Sequence, residues 1–236
     1  MMREYTVDTH THTIASGHAY NTILEMAKAA ADKGIKILGI TDHSKAMPEA
    51  SGDFYFMNLK SMDREAYGVE LLLGVELNII DYNGKVDLPL RYIKEMDIVI
   101  ASLHTPCIKP GTKEENTNAL IKCCENPYID IIGHPDDGNY DIDMEQLVLA
   151  AKRTGTLLEL NNNSIVFRMN ARENDKKMLI LCKEHNVPIV IGSDAHAVGK
   201  VGEKSNALEL VEEVDFPEEL IMNYYPDKLK EYLLKN

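Results

Sequence analysis

The stretch Ile35-Lys36-Ile37-Leu38-Gly39-Ile40-Thr41-Asp42-His43 carries an apolar run directly into two polar residues. Asn21 or Thr22 caps a helical pattern ahead of it, and Gly34 ends that helix. The apolar run that follows has the length and composition of a buried strand. This unit of a helix and a strand that ends in an aspartate and a histidine is characteristic of an α/β protein.

Seven such strands alternate with helical patterns along the chain. They are predicted at residues 5–8, 35–41, 71–78, 98–103, 129–133, 157–160 and 187–192. This succession predicts a parallel sheet, either open or closed as a barrel. No glycine-rich nucleotide-binding pattern follows any strand, which disfavours the open sheet of nucleotide-binding proteins. We therefore expect a single barrel-like α/β domain over residues 1–236, with an irregular active-site loop at residues 46–60.

Charge and composition narrow the partners of the protein. A formal charge of −13 and a pI near 5.0 disfavour long nucleic acids, which need a basic surface, but bound cations would still allow an anionic substrate. No apolar run approaches the ~18 residues of a membrane span, and the N-terminus lacks the apolar core of a signal peptide. The four cysteines form no C-x-x-C pair, which is typical of reduced thiols. The sequence predicts a soluble, cytoplasmic protein and leaves its oligomeric state open.

Titratable residues follow most of the predicted strands. Seven of the eight histidines lie in short motifs, and His185 is the exception. Together with two acidic residues, the candidate metal ligands are His10, His12, His18, His43, Glu76, His104, His134, Asp194 and His196. In a β/α barrel the carboxyl ends of the strands open on one face, so residues far apart in sequence converge there. Burying so many titratable groups without a cation would be costly, and the sequence therefore predicts a metal site at this face.

The number of candidates bears on the number of ions. One zinc ion takes about four ligands, so nine candidates indicate two or three ions, with a carboxylate such as Glu76 as a bridge. Imidazole and carboxylate together suit zinc, manganese or iron. Asp8 and Asp42 are candidates for orienting the ligating histidines from outside the metal shell. A role as strand-end caps explains these two aspartates equally well.

The motifs, taken in order, resemble the PHP (polymerase and histidinol phosphatase) superfamily over residues 6–226. They are Asp8-Thr9-His10-Thr11-His12, Ser16-Gly17-His18-Ala19-Tyr20, Ile40-Thr41-Asp42-His43, Gly74-Val75-Glu76, His104, Gly133-His134-Pro135 and Gly192-Ser193-Asp194-Ala195-His196. Residues 16–20 and 212–217 look most like the small stand-alone YcdX-type phosphatase branch. The resemblance implies a single distorted (β/α)7 barrel with three divalent ions, usually zinc.

The resemblance also implies which residues hold each ion. The first ion would take His10, His12, Glu76 and Asp194, the second would take Glu76, His104 and His134, and the third would take His18, His43 and His196. The activity implied is hydrolysis of a small phosphomonoester by a water that the metal activates. Two arginines that follow the sixth predicted strand, Arg168 and Arg172, are candidates for binding the phosphate.

Three other functions stay open at this point. Phosphodiester hydrolysis by an exonuclease or nucleotidase is the first, and the acidic charge counts against its longer substrates. An amidohydrolase-type deaminase or amidase also places H-x-H after its first strand, but many of these carry a lysine where this chain has His104. The third is a metal-binding domain without catalysis.

Overall fold

The structure is a computed structural model that describes residues 4–233, and strands and helices alternate along most of this range. The strands are β1 (Val7–Asp8), β2 (Ile37–Ile40), β3 (Glu65–Ala66), β4 (Val69–Leu73), β5 (Val75–Asn78), β6 (Val99–Ser102), β7 (Ile131–Ile132), β8 (Leu157–Asn161) and β9 (Ile189–Gly192). The helices are α1 (Ile23–Asp32), α2 (Asp53–Asn58), α3 (Leu90–Ile93), α4 (Lys113–Cys124), α5 (Met144–Thr154), α6 (Ser164–Phe167), α7 (Ala171–His185), α8 (Ser205–Glu213) and α9 (Pro226–Leu233). Short 3-10 turns lie at Ile14–Ser16, Leu59–Ser61, Val198–Lys200, Glu218–Leu220 and Met222–Tyr224.

The strands form two sheets that are almost entirely parallel. One sheet has the order β1-β2-β4-β3 and the other has the order β5-β6-β7-β8-β9, with β3 alone antiparallel to its neighbour among the described strands. Parallel single-residue bridges join the two sheets, from His43 to Glu76 and from Thr11 to Ala195. Apart from β3, the described strands therefore run in one direction, and their carboxyl ends lie at one end of the molecule. The α/β class is confirmed.

The prediction of seven strands in one sheet is wrong in its count. The predicted third strand is divided at Gly74 into β4, which pairs with β2, and β5, which pairs with β6. Gly74 permits this because a Cβ there would overlap the carbonyl oxygen of Ile98 on the neighbouring chain segment. Strand β3, an antiparallel hairpin partner of β4, was not predicted.

The expected irregular loop at residues 46–60 contains a regular element. Helix α2 and the 3-10 turn that follows it occupy the second half of this range. The buried ring of Phe56, on α2, packs in the main core and explains why the segment is ordered as a helix. The helix ends were more predictable: Thr22 caps α1 in a capping box with Glu25, and Asp143 caps α5.

The core has two parts. The larger part lies between the strands and the surrounding helices. The smaller part collects side chains from nearly every strand, and its members are Val7, Ile37, Leu72, Ile98, Ile100, Ile131, Leu157, Val190, Met222, Leu229 and Leu233. Leu229 and Leu233 belong to α9, so this helix covers the smaller cluster. Among the described residues, no helix is long and apolar enough to cross a membrane.

Candidate metal centre

Seven of the nine predicted ligands follow a strand, and the other two are Glu76 and His18. His10 and His12 follow β1, His43 follows β2, Glu76 is in β5, and the remaining members follow later strands or the first 3-10 turn. His104 follows β6, His134 follows β7, and both Asp194 and His196 follow β9. His18 follows the first 3-10 turn. Seven of the nine are buried, whereas His196 is half-buried and His18 is exposed. We call the space between these nine side chains the pit, and it reaches the protein surface beside His18.

Glu76 lies at the middle of this group. Its Oε1 atom is 2.9 Å from the Nε2 atom of His134 and 3.3 Å from that of His104. Its Oε2 atom is 2.8 Å from the Nδ1 atom of His43 and faces the H-x-H pair, with Nε2 of His10 at 3.3 Å and Nε2 of His12 at 3.5 Å. The two oxygens of one carboxylate therefore face two different sets of histidines.

Asp194 and His196 close the other side of the pit. The Oδ1 atom of Asp194 is 3.2 Å from Nε2 of His12 and 3.8 Å from Nε2 of His10. The Nε2 atom of His196 is 3.1 Å from Nε2 of His18. Within the described part of the chain, three groups of ligand atoms lie close enough together to hold an ion: His12 with His43 and His196, His10 with His12 and Glu76, and His43 with Glu76 and His104.

The chemistry of these residues fits divalent cations. Buried ring nitrogens face one another across the pit, at 3.0 Å between Nε2 of His10 and Nε2 of His12. The Nδ1 of His43, the Nε2 of His104 and the Oε2 of Glu76 are buried and, in spite of the short distances given above, form no hydrogen bond of suitable geometry. A buried polar atom left unpaired costs about 1–3 kcal/mol. Bound cations would give these atoms the partners that they lack.

The pKa values favour the ligating forms of several of these groups. Burial lowers the pKa of His104 to about 3, and burial together with His43 and His196 lowers the pKa of His12 well below its usual value. Burial favours the protonated form of Glu76, but the neighbouring histidines outweigh it and hold its pKa well below the usual range. Neutral imidazoles and an ionised carboxylate are the forms that bind a metal ion.

Three residues that orient the histidines were not predicted from the sequence. Glu159 Oε1 is 2.7 Å from Nδ1 of His10, Ser16 Oγ is 3.0 Å from Nδ1 of His12, and Asn78 Oδ1 is 2.8 Å from Nδ1 of His104. Each leaves the Nε2 atom of its histidine directed into the pit. Glu159 had a sequence signal, because a carboxylate inside the apolar strand Leu157–Asn161 needs a partner for the same reason as Glu76.

The two aspartates that were predicted to orient histidines have different contacts in the structure. Asp42 reaches His12 through Ser16, whose hydroxyl donates to Asp42 Oδ1 at 2.7 Å, and Tyr55 also donates to Asp42 at 2.6 Å. Asp8 accepts from the Ser193 hydroxyl and from the backbone N–H groups of Ser193 and Gly202. These bonds make Asp8 a brace between β1 and the segment after β9, which corrects its assignment to a histidine ring.

The two candidate arginines also differ in position. Arg168 reaches the pit, with Nη1 2.9 Å from Nδ1 of His134 and Nη2 3.7 Å from Oδ2 of Asp194. Arg172 lies on α7 and pairs with Glu213 of α8 at 2.9 Å. The prediction for Arg172 is therefore corrected, because its guanidinium is engaged at the surface. His185, the last residue of α7, belongs to none of the three ligand groups.

These features define a class of α/β protein in which parallel strands present a buried group of histidines and carboxylates that could hold metal. The chain belongs to the PHP domain family, whose match covers residues 8–163. This confirms the family resemblance of the sequence motifs. A protein of Clostridium novyi (strain NT) named "Probable phosphatase" is 47% identical over 231 residues, which are 98% of this chain and 95% of that protein. A second "Probable phosphatase", from Acetivibrio thermocellus, is 48% identical over 230 residues, which are 98% of this chain and 95% of that protein.

Among solved structures, the fold is similar to histidinol phosphate phosphatase from Lactococcus lactis, which was solved with zinc, L-histidinol and phosphate. The TM-score is 0.59 at 17% identity, and the match covers 90% of this chain and 95% of that one. At this level of identity the likeness concerns the fold alone.

Proposed function

We propose that this protein is a metal-dependent phosphatase that hydrolyses a small phosphomonoester at a site for three divalent ions. The observation that carries the proposal is the position of Glu76, whose two carboxylate oxygens face separate sets of histidines 2.8–3.5 Å away. The "Probable phosphatase" names of relatives at 47% and 48% identity support the type of reaction.

The proposed ligand sets are those that the family resemblance implies. His10, His12, Glu76 and Asp194 hold the first ion, Glu76, His104 and His134 hold the second, and His18, His43 and His196 hold the third. The contacts of Glu76 with both the first and the second set support its role as the bridge. Zinc, when bound, supplies a Lewis acid for the phosphoryl oxygens and a water whose pKa is lowered towards neutrality, and manganese or iron is the alternative.

Arg168 is the proposed phosphate-binding residue. Its Nη1 atom contacts both Nδ1 of His134 at 2.9 Å and Oδ2 of Asp137 at 3.3 Å, and its Nη2 atom lies 3.7 Å from Oδ2 of Asp194. The side chain keeps 22% of its surface exposed. A guanidinium offers two parallel N–H donors to a phosphate group. Arg168 would thereby fix the orientation of the ester while its charge balances the anionic substrate.

The ring nitrogen of His134 that carries the proton determines whether Arg168 can donate a hydrogen bond to this histidine. Arg168 donates to Nδ1 of His134, and this requires the ring proton to be on Nε2, where it faces Glu76 Oε1 at 2.9 Å. When Nε2 serves as a ligand, the ring proton belongs on Nδ1, and Arg168 loses its acceptor there. The guanidinium then becomes available to a phosphoryl oxygen.

We also propose that the two sheets form one distorted (β/α)7 barrel in a single domain over residues 1–236. The His43–Glu76 and Thr11–Ala195 bridges connect both edges of the second sheet, at β5 and after β9, to the first sheet. Strands β4 and β5 would together count as the third of seven strands. The smaller core cluster supports closure, because it draws one or two residues each from β1, β2, β4, β7, β8, β9 and the β6 region.

The test combines metal analysis with a screen for phosphate release. Purified protein is assayed before and after chelation and after addition of zinc or manganese, on sugar phosphates, nucleotides, histidinol phosphate and labelled single-stranded oligonucleotides. We expect turnover of a small monoester that is lost on chelation and restored by metal. Release of mononucleotides without monoester turnover would favour phosphodiester hydrolysis, and full activity without metal would contradict the proposal.

A further inference from the structure

We propose that Glu159 is a positioning residue that holds the ring proton of His10 on Nδ1 and, with Asn161, joins ligands of two metal ions and Arg168 in one hydrogen-bonded network. This inference rests on the ligand sets proposed above. Strand β8, which carries both residues, contributes no ligand in those sets. Its place among the strands is nevertheless central, because β8 pairs with both β7 and β9, and His134, Asp194 and His196 follow these two neighbours.

Glu159 accepts hydrogen bonds from three separate donors. Its Oε1 atom is 2.7 Å from Nδ1 of His10, while its Oε2 atom accepts from the backbone N–H of His134 at 2.9 Å and from Nδ2 of Asn161 at 3.1 Å. Glu159 is fully buried. Two of these donors always carry a proton and both contact Oε2, and a carboxylate, which accepts at both ends, also accepts from Nδ1 of His10 when the ring proton lies there. A glutamine would place an NH₂ group against at least one donor.

The contact with His10 determines which of its nitrogens enters the pit. A carboxylate at 2.7 Å keeps the proton on Nδ1, and the lone pair of Nε2 then faces Glu76 and Asp194. The backbone around Glu159 leaves room for its carboxylate. A Cβ at residue 192, where the chain has a glycine on β9, would overlap Oε1 of Glu159. A larger residue at Gly192 would therefore displace the group that orients His10.

The contact with His134 concerns the backbone. His134 has a φ of +29°, which an L-residue with a side chain rarely adopts. The hydrogen bond from its N–H to Glu159 Oε2 helps to hold this conformation. Glu159 thus supports one ligand of each of two proposed ions, His10 through its ring and His134 through its main chain.

Asn161 extends the network to the arginine. Its Nδ2 group donates to Glu159 and, at 3.2 Å, to Oδ2 of Asp194. Its Oδ1 atom accepts from the backbone N–H groups of Asn163 and Ser164, where α6 begins. Arg168 follows α6 directly, so Asn161 connects the position of the arginine to that of Asp194.

The test compares Glu159→Gln with the matched control Asp130→Asn. Asp130 is also buried and accepts a backbone N–H, from Val99 at 2.8 Å, but it precedes β7 and lies at the amino ends of the strands. Zinc per chain, the rate of zinc release to a chelator and Tm are measured for each. We expect zinc to bind about 10- to 100-fold more weakly in Glu159→Gln, the usual effect of removing such a support. The control should keep the zinc affinity of the unchanged protein even where its Tm falls.

Equal zinc affinity in Glu159→Gln and the unchanged protein would overturn the inference, as would equal losses of affinity in both variants. A second measurement covers the case in which Glu159→Gln does not fold. Histidine ¹⁵N NMR of the zinc-loaded, unchanged protein should show a protected proton on Nδ1 of His10, and a proton on Nε2 would overturn the inference. Neither readout needs turnover, so zinc-bound protein that hydrolyses no ester would refute the proposed function and leave this inference standing.

Discussion

The Oε1 atom of Glu76 lies 2.9 Å from the Nε2 atom of His134, although the two residues are 58 positions apart in the sequence. The other oxygen of the same carboxylate lies 2.8 Å from Nδ1 of His43. One side chain on β5 therefore meets the residues that follow β2 and β7. Buried carboxylates rarely stand among so many imidazoles unless cations share them.

Replacing Glu76 should remove more than one ion. In Glu76→Gln the negative charge of the proposed bridge is lost while the shape of the side chain is kept. We therefore expect fewer zinc ions per chain and a fall in kcat of at least about 100-fold. This fall exceeds the usual effect of replacing a residue outside the ligand shell. Metal analysis measures the zinc content, and phosphate release measures kcat. His185→Gln is the matched control, and it should retain full metal content and activity because His185 lies at the end of α7. Full metal content in Glu76→Gln would contradict its bridging role.

The two arginines provide a direct comparison for phosphate binding. Arg168→Ala removes the guanidinium beside His134 and Asp194, and loss of charge-assisted hydrogen bonds should lower kcat/KM by about 10- to 100-fold. Arg172→Ala breaks only a surface pair with Glu213 and should leave kcat/KM unchanged. Steady-state kinetics on the substrate found in the screen give kcat/KM for both variants. Similar losses in both variants would argue against a specific role for Arg168.

Gly74 is expected to be necessary for the division between β4 and β5. In Gly74→Ala the new methyl group would overlap the Ile98 carbonyl oxygen, and relieving such a clash within the sheet should lower the free energy of unfolding by about 1–3 kcal/mol or more. Gly52→Ala is the control, because nothing lies within 4 Å of a Cβ there. Denaturant unfolding measures both variants. Equal stability of Gly74→Ala and the unchanged protein would show that the sheet accommodates the methyl group.

The metal-free protein should lose stability in acid because of His104. Burial lowers the pKa of His104 from 6.5 to about 3, so between these pH values the unfolded chain binds a proton that the folded chain does not. The stabilising contribution of the neutral ring is complete above about pH 6.5 and falls as the pH decreases towards 3. Between pH 6.5 and 5 the loss is roughly 2 kcal/mol.

Comparison with His104→Gln isolates this effect, since His10, whose pKa is raised by Glu159, Glu76 and Asp194 against the effect of burial, is common to both proteins. Urea unfolding of chelator-treated protein at about pH 6.5 and pH 5 is the measurement. The unchanged protein should lose roughly 2 kcal/mol more than the variant over this interval. Parallel pH profiles would rule out a low pKa for His104.

The clustering of the nine candidate ligands could be predicted from the sequence because its members have a local signal. His10 and His12 are two positions apart at the end of a strand, and Asp194 and His196 repeat that spacing. Side chains at i and i+2 share one face of a strand, and parallel strands bring such ends together. Glu76 stood out because a carboxylate within an apolar strand needs a partner.

Other features depend on contacts that no local pattern reveals. Asp8 and Asp42 have similar places at strand ends, yet Asp8 binds the segment after β9 and Asp42 binds Ser16 and Tyr55. The difference between Arg168 and Arg172 depends on the last turn of α6, which directs one towards the pit and leaves the other on α7. The break at Gly74 depends on a carbonyl group 24 residues further along the chain, at Ile98.

The most direct test is the number of zinc ions per chain in the purified protein, measured together with phosphate release before and after chelation. Three ions per chain, with monoester hydrolysis that disappears on chelation and returns with zinc or manganese, is the expected result. No more than one ion per chain, or undiminished hydrolysis by metal-free protein, would contradict a phosphatase site built around Glu76.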